Sequence, residues 1–142
     1  MTETNQRKKD YLDEYLNSKR AIARLELQLE EVRASKLYPS AIGGDGMPKG
    51  SSKSDLSAYA AAVDDLERKI KKEKQIRLEL LDKIRDAIES MGNEDEKDLL
   101  HYRYIKGWSW GHIADQMGYG YRNVIKIHGK ALGNFKIPEK SS

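Results

Sequence analysis

The chain has 142 residues, of which 35% are charged, and its mean hydropathy is −0.81. This composition excludes a large single core, but it is compatible with helices that each carry one narrow apolar face. There are no cysteines, which excludes disulfides and thiolate metal sites and favours a reducing compartment.

The net charge of +3 is unevenly distributed along the chain. Residues 99–142 carry seven Lys or Arg against two Asp or Glu, whereas residues 1–92 are nearly balanced, with 18 against 17. This excess positive charge favours contact with a polyanion, although ordinary solubilising charge explains it equally well. The N-terminal sequence has no apolar run typical of a signal peptide or membrane anchor, so we expect a cytoplasmic protein.

The first section, residues 3–36, has the pattern of a long amphipathic helix. Its apolar residues recur at intervals of three, four and seven, and neither glycine nor proline interrupts them. The recurring residues are Tyr11, Leu12, Tyr15, Leu16, Ile22, Leu25, Leu29 and Val32. This spacing predicts a helix of about nine turns with a coiled-coil-like apolar face.

Residues 37–54, with the sequence LYPSAIGGDGMPKGSSKS, are rich in glycine and proline and predict a flexible loop. The segment is not a phosphate-binding loop, because Lys49 occupies the position where that motif requires its second glycine. A loop of this length is unusual in a folded domain unless it has a function.

A second long helix is predicted to begin at Ser54 or Asp55, both good N-cap residues, and to end near residue 92. Its apolar face comprises Leu56, Tyr59, Val63, Leu66, Ile70, Leu80, Leu81, Ile84 and Ile88. Polar residues near Glu73 and Arg77 interrupt that face, which indicates a slip in the packing or an exposed middle.

The two long helices together predict an antiparallel hairpin as the first domain, residues 1–92. Two helices alone bury little apolar surface, so the hairpin needs the C-terminal section, a second copy of itself or another protein. Among these we favour self-association, with a dimer as the expected state.

Residues 93–142 are predicted to form a second, smaller helical domain, so the fold class is all-α. Asn93 followed by Glu96 is a capping-box pattern, and three acidic residues in the first turn suit the helix dipole. This helix is expected to end at Gly107.

Two further helices follow in the C-terminal domain. Ser109 is the predicted N-cap of the first, and Gly118 permits the left-handed backbone of a sharp turn. Gly120 leads into the second. The predicted inward residues are Ile113, Ala114, Met117, Val124, Ile127, Ala131 and Leu132.

The spacing of these residues is that of a helix-turn-helix. From Ala114, where two helices can cross closely, Gly118 follows by four positions, Val124 by ten and Ile127 by thirteen. A larger side chain at 114 would push the helices apart, and a Cβ at 118 would strain the turn. A generic small helical bundle is the simpler alternative.

The outward face of the last helix carries the candidate contacts to duplex DNA. Recognition helices present their N-terminal residues to base edges in the major groove. The predicted base-reading residues are Tyr121, Arg122, Asn123, Ile125 and Lys126. Arg122 suits guanine, Asn123 suits adenine, and Tyr121 suits a thymine methyl group or a sugar. The predicted phosphate-binding residues are Arg103, Lys106, Ser109, Trp110, His112 and Lys130.

The segment LLHYRYIKGWSWGHIADQMGYGYRNVIKIHGKAL, residues 99–132, resembles the promoter-reading region four of bacterial sigma factors. The shared features are a Leu-Leu-x-x-Arg-Tyr helix, Trp-Ser-Trp, an Ile-Ala pair, the glycine turn and Lys-Ala-Leu. The resemblance implies that Tyr121, Arg122 and Lys126, and less directly Ile125, touch promoter bases. Their residue types differ from the sigma pattern, so a different DNA sequence is expected.

The whole chain resembles small phage and prophage transcription regulators of the RinA and ArpU kind. The similar parts are residues 11–15, the Met-Pro-Lys-Gly and Ser-Asp motifs within residues 47–55, and the sigma-like segment. This resemblance implies a regulator of late phage genes in a bacterial host cell, with RNA polymerase as a candidate partner.

Two other functions stay open on the sequence alone. The chain could be an interaction module that docks on RNA polymerase without binding DNA itself, or a DNA-packaging recognition subunit that assembles into a ring. An enzyme is not expected, nor is a metal or cofactor. The three histidines, His101, His112 and His128, have no metal-ligand spacing, and no serine occupies a nucleophile motif.

Overall fold

A computed structural model of the protein describes the backbone of residues 1–42 and 49–139 and the side chains of residues 1–35 and 56–139. The described residues form five α-helices and one π-helical segment. These are α1 (Glu3–Ile42), α2 (Lys49–Glu89), α3 (Glu94–Leu100), the π-helical segment (His101–Ile105), α4 (Trp110–Met117) and α5 (Tyr121–Asn134). The predicted all-α class, with two long helices before a small helical domain, is confirmed. Within these ranges, no helix is apolar over enough of its length to span a membrane.

The two long helices extend into the segment predicted as a loop. α1 continues to Ile42 and α2 begins at Lys49, so Ser54 and Asp55 lie inside a helix and the N-cap prediction is wrong. Pro39 and Gly50 favoured a loop, but each lies within one turn of a helix end. Residues 43–48, the middle of that predicted loop, lie outside the described residues.

The chain divides into two compact units that do not follow the predicted boundary at residue 92. The first unit combines Met1–Ser18 with Arg77–Ser142, and the second comprises Lys19–Ile76. The division in α2 falls between Ile76 and Arg77, at the end of the stretch where polar residues interrupt the apolar face. Ends of both long helices therefore belong to the same unit as the small helical domain.

The core of the first unit explains why it needs both long helices. α1 contributes Leu12 and Tyr15, and α2 contributes Ile84 and Ile88, all buried. The C-terminal elements add Leu99, Leu100, Tyr104, Ile105, Ile113, Ala114, Val124, Ala131, Leu132 and Phe135. Short helices cannot bury apolar faces on all sides by themselves, so the ends of α1 and α2 complete this core.

The second unit is a pair of helical segments with a narrower buried face. Ile22, Leu66 and Ile70 are buried in it. Of the other predicted face residues, Leu56 is 48% exposed, and five are half-buried: Leu25, Leu29, Val32, Tyr59 and Val63. The guanidinium of Arg33 pairs with the carboxylate of Glu67 at 2.7 Å, between the two segments.

The start of α3 shows a capping arrangement that is half of the predicted capping box. The side chain of Asn93 accepts a hydrogen bond from the backbone N–H of Glu96 at 3.0 Å, as expected. The Glu96 carboxylate, however, accepts from the side-chain amide of Asn134 at 2.8 Å and is buried. The carboxylate that a capping box would direct to the backbone of Asn93 is therefore hydrogen-bonded to Asn134, 38 positions away.

Candidate nucleic-acid interface

The α4–turn–α5 segment reverses the chain over three residues. The Ser109 hydroxyl caps α4 by accepting the backbone N–H of His112 at 3.2 Å. At the other end, Gly118 has φ +72°, in the left-handed region that favours glycine. The N–H of Tyr119 then donates to the Ala114 carbonyl at 3.1 Å, which closes the helix end. α5 starts two residues later, as the glycine spacing predicts.

The inner faces of α4 and α5 meet at the residues that the helix-turn-helix spacing selects. Ile113 and Val124 have no exposed surface, and Ala114 is 7% exposed. Ala131 and Leu132 are also buried, which confirms most of the predicted inner face. Met117 is only half-buried but contacts the same core.

One position of the α5 stripe differs from the prediction. Ile127 is half-buried, and the neighbouring His128 is the buried side chain instead. His128 lies four residues from both Val124 and Leu132 and so shares their face of the helix, whereas Ile127 lies at the edge of that face. Inside, Nε2 of His128 forms a 2.6 Å hydrogen bond with the hydroxyl of Tyr104.

The environment of His128 favours its neutral form. Burial, followed by the positive charges of Arg103 and Lys9, lowers the pKa of His128 to about 4. Asp13 acts in the opposite direction but more weakly. The Trp110 ring meets the imidazole edge-on, with ring centroids 4.6 Å apart. His128 is thus a structural residue of the inner face.

Arg103 was a predicted phosphate contact, but its guanidinium is held within the unit. Nη1 donates to the carbonyl of Trp108 at 3.0 Å, and Cζ lies 4.2 Å from the centroid of the Trp110 ring. These contacts connect the π-helical segment to the start of α4. Lys106, the other basic residue predicted there, is exposed.

A ladder of aromatic rings supports the N-terminal end of α4. The Tyr102 and Trp108 rings stack at 4.6 Å, and the Trp108 and His112 rings stack at 4.0 Å. Sequence reasoning missed this ladder, because it needs a π-helical segment followed by Gly107 at φ +73°. His112 is exposed at the end of the ladder, whereas Trp110 is half-buried beside His128. Of these two predicted phosphate neighbours, only His112 is freely accessible from solvent.

The outward face of α5 carries all five predicted base-reading residues in exposed positions. These are Tyr121, Arg122, Asn123, Ile125 and Lys126, and Lys130 continues the same face. None of the ion pairs found among the described side chains involves Arg122, Lys126 or Lys130. The helix itself contains no acidic residue. The arrangement is therefore a basic surface with uncompensated charge.

Contacts far apart in sequence hold α5 in place at both ends. Near its start, the Tyr119 hydroxyl donates to the Asp95 carboxylate at 2.5 Å, which raises the pKa of Tyr119. Near its end, Lys8 donates to the Gly133 carbonyl at 3.0 Å. A cation at a helix C-terminus also stabilises the helix dipole. Neither contact is visible in the sequence, because each joins residues far apart in the chain.

Comparison with protein-family models, with curated proteins and with solved structures finds no match to this chain. The resemblances to sigma region four and to the phage regulators therefore stay predictions from the sequence. The features of the molecule that bear on its function are the geometry and charge of α4 and α5.

Proposed function

We propose that the protein is a sequence-specific DNA-binding transcription regulator, with α5 as its recognition helix. The observation that carries the proposal is the outward face of α5, where Arg122 and Lys126 are exposed and unpaired. The turn at Gly118 fixes this helix against α4, so that its outward face is free to enter a major groove. Cations on such a face can contact phosphates and guanine edges.

The phage or prophage setting, the control of late genes, the bacterial host cell and a contact with RNA polymerase all come from the resemblance alone. We include them as parts of the proposal. Lys106 and Lys130 are exposed and suit phosphate contacts, whereas Arg103 is engaged with Trp108 and Trp110, so we assign it a positioning role.

Self-association is the second part of the proposal. The helical pair of the second unit leaves Leu25, Leu29 and Val63 half-buried, which is apolar surface that a second copy can cover. A dimer would also place two recognition helices on one DNA duplex. Sedimentation at tens of micromolar is the direct measurement, and a monomer at that concentration would overturn this part.

Selection of bound sequences from a random DNA pool tests the DNA-binding proposal. For the selected duplex, Arg122→Ala and Lys126→Ala should each weaken binding by about 1–3 kcal/mol. Lys72→Ala, which removes the same charge at an exposed position in the second unit, is the matched control. Affinity should also fall steeply as salt is raised, because phosphate contacts release counterions.

Several outcomes would contradict the DNA-binding proposal. Failure to enrich any sequence would do so, as would equal affinity of the Arg122 and Lys126 variants and the control. Binding to RNA polymerase without DNA retention at physiological salt would favour the interaction module. A ring-shaped assembly would favour the packaging subunit.

A further inference from the structure

The recognition face of α5 contains two large apolar side chains that do not belong to the core. Tyr121 is 58% exposed and Ile125 is 39% exposed. They are four residues apart, so they are neighbours on the same side of the helix, one turn from each other. By contrast Val124, between them in sequence, has no exposed surface. A single exposed apolar residue is ordinary, but this pair forms one continuous apolar surface.

Two cations flank this apolar pair on one side. Arg122 and Lys126 directly follow Tyr121 and Ile125 in sequence, which places each cation about 100° around the helix from its apolar neighbour. Arg122 and Lys126 are both exposed, and no ion pair among the described side chains uses them. Because α5 has no acidic residue, the partner that fits this face is polyanionic. The apolar pair must therefore meet an apolar group on an anionic partner.

Duplex DNA offers such a group at one place in the major groove. The edges of the base pairs there present hydrogen-bond donors and acceptors, and thymine adds its C5-methyl group. A helix that lies in the groove with its N-terminal turn against the bases would bring Tyr121 and Ile125 to that depth.

We propose that Tyr121 and Ile125 together form an apolar contact for the C5-methyl group of a thymine, so that the DNA site requires thymine at that position. The inference rests on the proposed function and adds a base identity to it. Arg122 and Lys126 hold the helix in the groove, whereas the apolar pair supplies discrimination at one base pair.

The experiment replaces each thymine of the selected duplex, one at a time, with deoxyuridine, which lacks only the methyl group. The full-length protein is titrated with each duplex. At one or two positions the Kd should rise roughly fourfold, the equivalent of one buried methyl-sized group. Ile125→Ala should weaken binding to the thymine duplex by a similar factor and should abolish the difference between thymine and deoxyuridine.

A matched variant separates this contact from general affinity. Lys130→Ala should weaken binding to both duplexes equally and leave the deoxyuridine penalty unchanged. Both variants alter exposed residues, and urea unfolding verifies that each is folded.

Each remaining outcome overturns the inference in a distinguishable way. If no deoxyuridine substitution changes the Kd while Arg122→Ala still weakens binding, the thymine contact is absent and the proposed function stands. If the Ile125→Ala variant shows the same rise in Kd as the wild type when thymine is replaced with deoxyuridine, another residue contacts the methyl group. If no DNA is bound, or if Tyr121→Ala and Ile125→Ala instead abolish binding to RNA polymerase, the inference and the proposed function fail together.

Discussion

The hydroxyl oxygen of Tyr104 and Nε2 of His128 lie 2.6 Å apart in the core of the first unit, and this hydrogen bond joins the π-helical segment to α5. Tyr104 is 1% exposed and His128 is 5% exposed. Burial raises the pKa of the Tyr104 hydroxyl well above its ordinary value and lowers that of His128 to about 4. The pair is therefore neutral near pH 7.

Stability should fall as the pH drops from about 6.5 to 4, because of His128. The unfolded chain binds a proton there with a pKa of about 6.5, whereas the folded chain resists protonation until the pH approaches 4. In this range the unfolded state holds more protons, so acid favours unfolding. At pH 7 the contribution of His128 to the free energy of unfolding is complete. Roughly 2 kcal/mol of this contribution should be lost by pH 4.5.

Urea unfolding followed by tryptophan fluorescence measures this loss, since both tryptophans lie in the first unit. His128→Gln removes the titrating group but keeps hydrogen-bonding capacity toward Tyr104. Carboxylates titrate alike in the two proteins. Between pH 7 and 4.5 the free energy of unfolding should therefore fall by roughly 2 kcal/mol less in the variant than in the wild type. Parallel curves for the two proteins would show that His128 is not the cause.

Tyr104→Phe should lower the free energy of unfolding by about 1–3 kcal/mol at pH 7, because it leaves the buried Nε2 of His128 without its partner. Tyr121→Phe is the control, since it removes the same hydroxyl from a side chain that is 58% exposed. We expect the control to lie within about 0.5 kcal/mol of the wild type. Chemical denaturation of the three proteins side by side gives both values, and equal stabilities would contradict the structural role of the pair.

The parts of the fold that the sequence predicts are those determined by near neighbours. Ala114, Gly118 and Val124 lie at fixed offsets, and the steric demands of a tight turn act over a few residues. The same is true of the caps at Asn93 and Ser109. Each of these features can be recognised without knowledge of the remaining chain.

The features that the sequence missed depend on contacts between distant segments. His128 continues the stripe of Val124 and Leu132, but its partner, the hydroxyl of Tyr104, comes from another segment and cannot be predicted from that spacing. Arg103 is basic and near the candidate interface, but its contact with Trp110 follows from the π-helical path between them. The participation of α1 in the first core similarly depends on tertiary packing, as the contact between Lys8 and Gly133 shows.

Two glycine substitutions should change stability in opposite directions. Gly118→Ala forces a Cβ into a left-handed backbone with φ +72°, although no atom stands within 4 Å of that Cβ. The cost is therefore conformational, and we expect a loss of about 1–2 kcal/mol. Gly129 lies inside α5 with open space around its Cβ, so Gly129→Ala should gain about 0.5–1 kcal/mol.

Thermal and urea unfolding of the two glycine variants compares the same chemical change at two backbone conformations. A stabilised Gly118→Ala variant would show that the turn does not require a left-handed residue. In that case a Cβ at position 118 would not strain the turn, and the spacing of the helix-turn-helix would have no steric reason at that position.

Arg103 should prove to be a structural residue rather than a phosphate ligand. Arg103→Ala removes the hydrogen bond to the Trp108 carbonyl and the cation–π contact with Trp110, which should cost about 1–3 kcal/mol of folding free energy. Lys106→Ala removes the same charge three residues later from an exposed side chain, and its stability should change by less than about 0.5 kcal/mol.

DNA titration of these two variants completes the distinction. Lys106→Ala should reduce the slope of log affinity against log salt by about 1, as expected for one lost phosphate contact. Arg103→Ala, assayed at a temperature where it is fully folded, should keep the wild-type slope because its guanidinium is turned toward Trp110. A reduced salt slope for Arg103→Ala together with unchanged stability would instead restore Arg103 as a phosphate contact and remove its role in positioning α4.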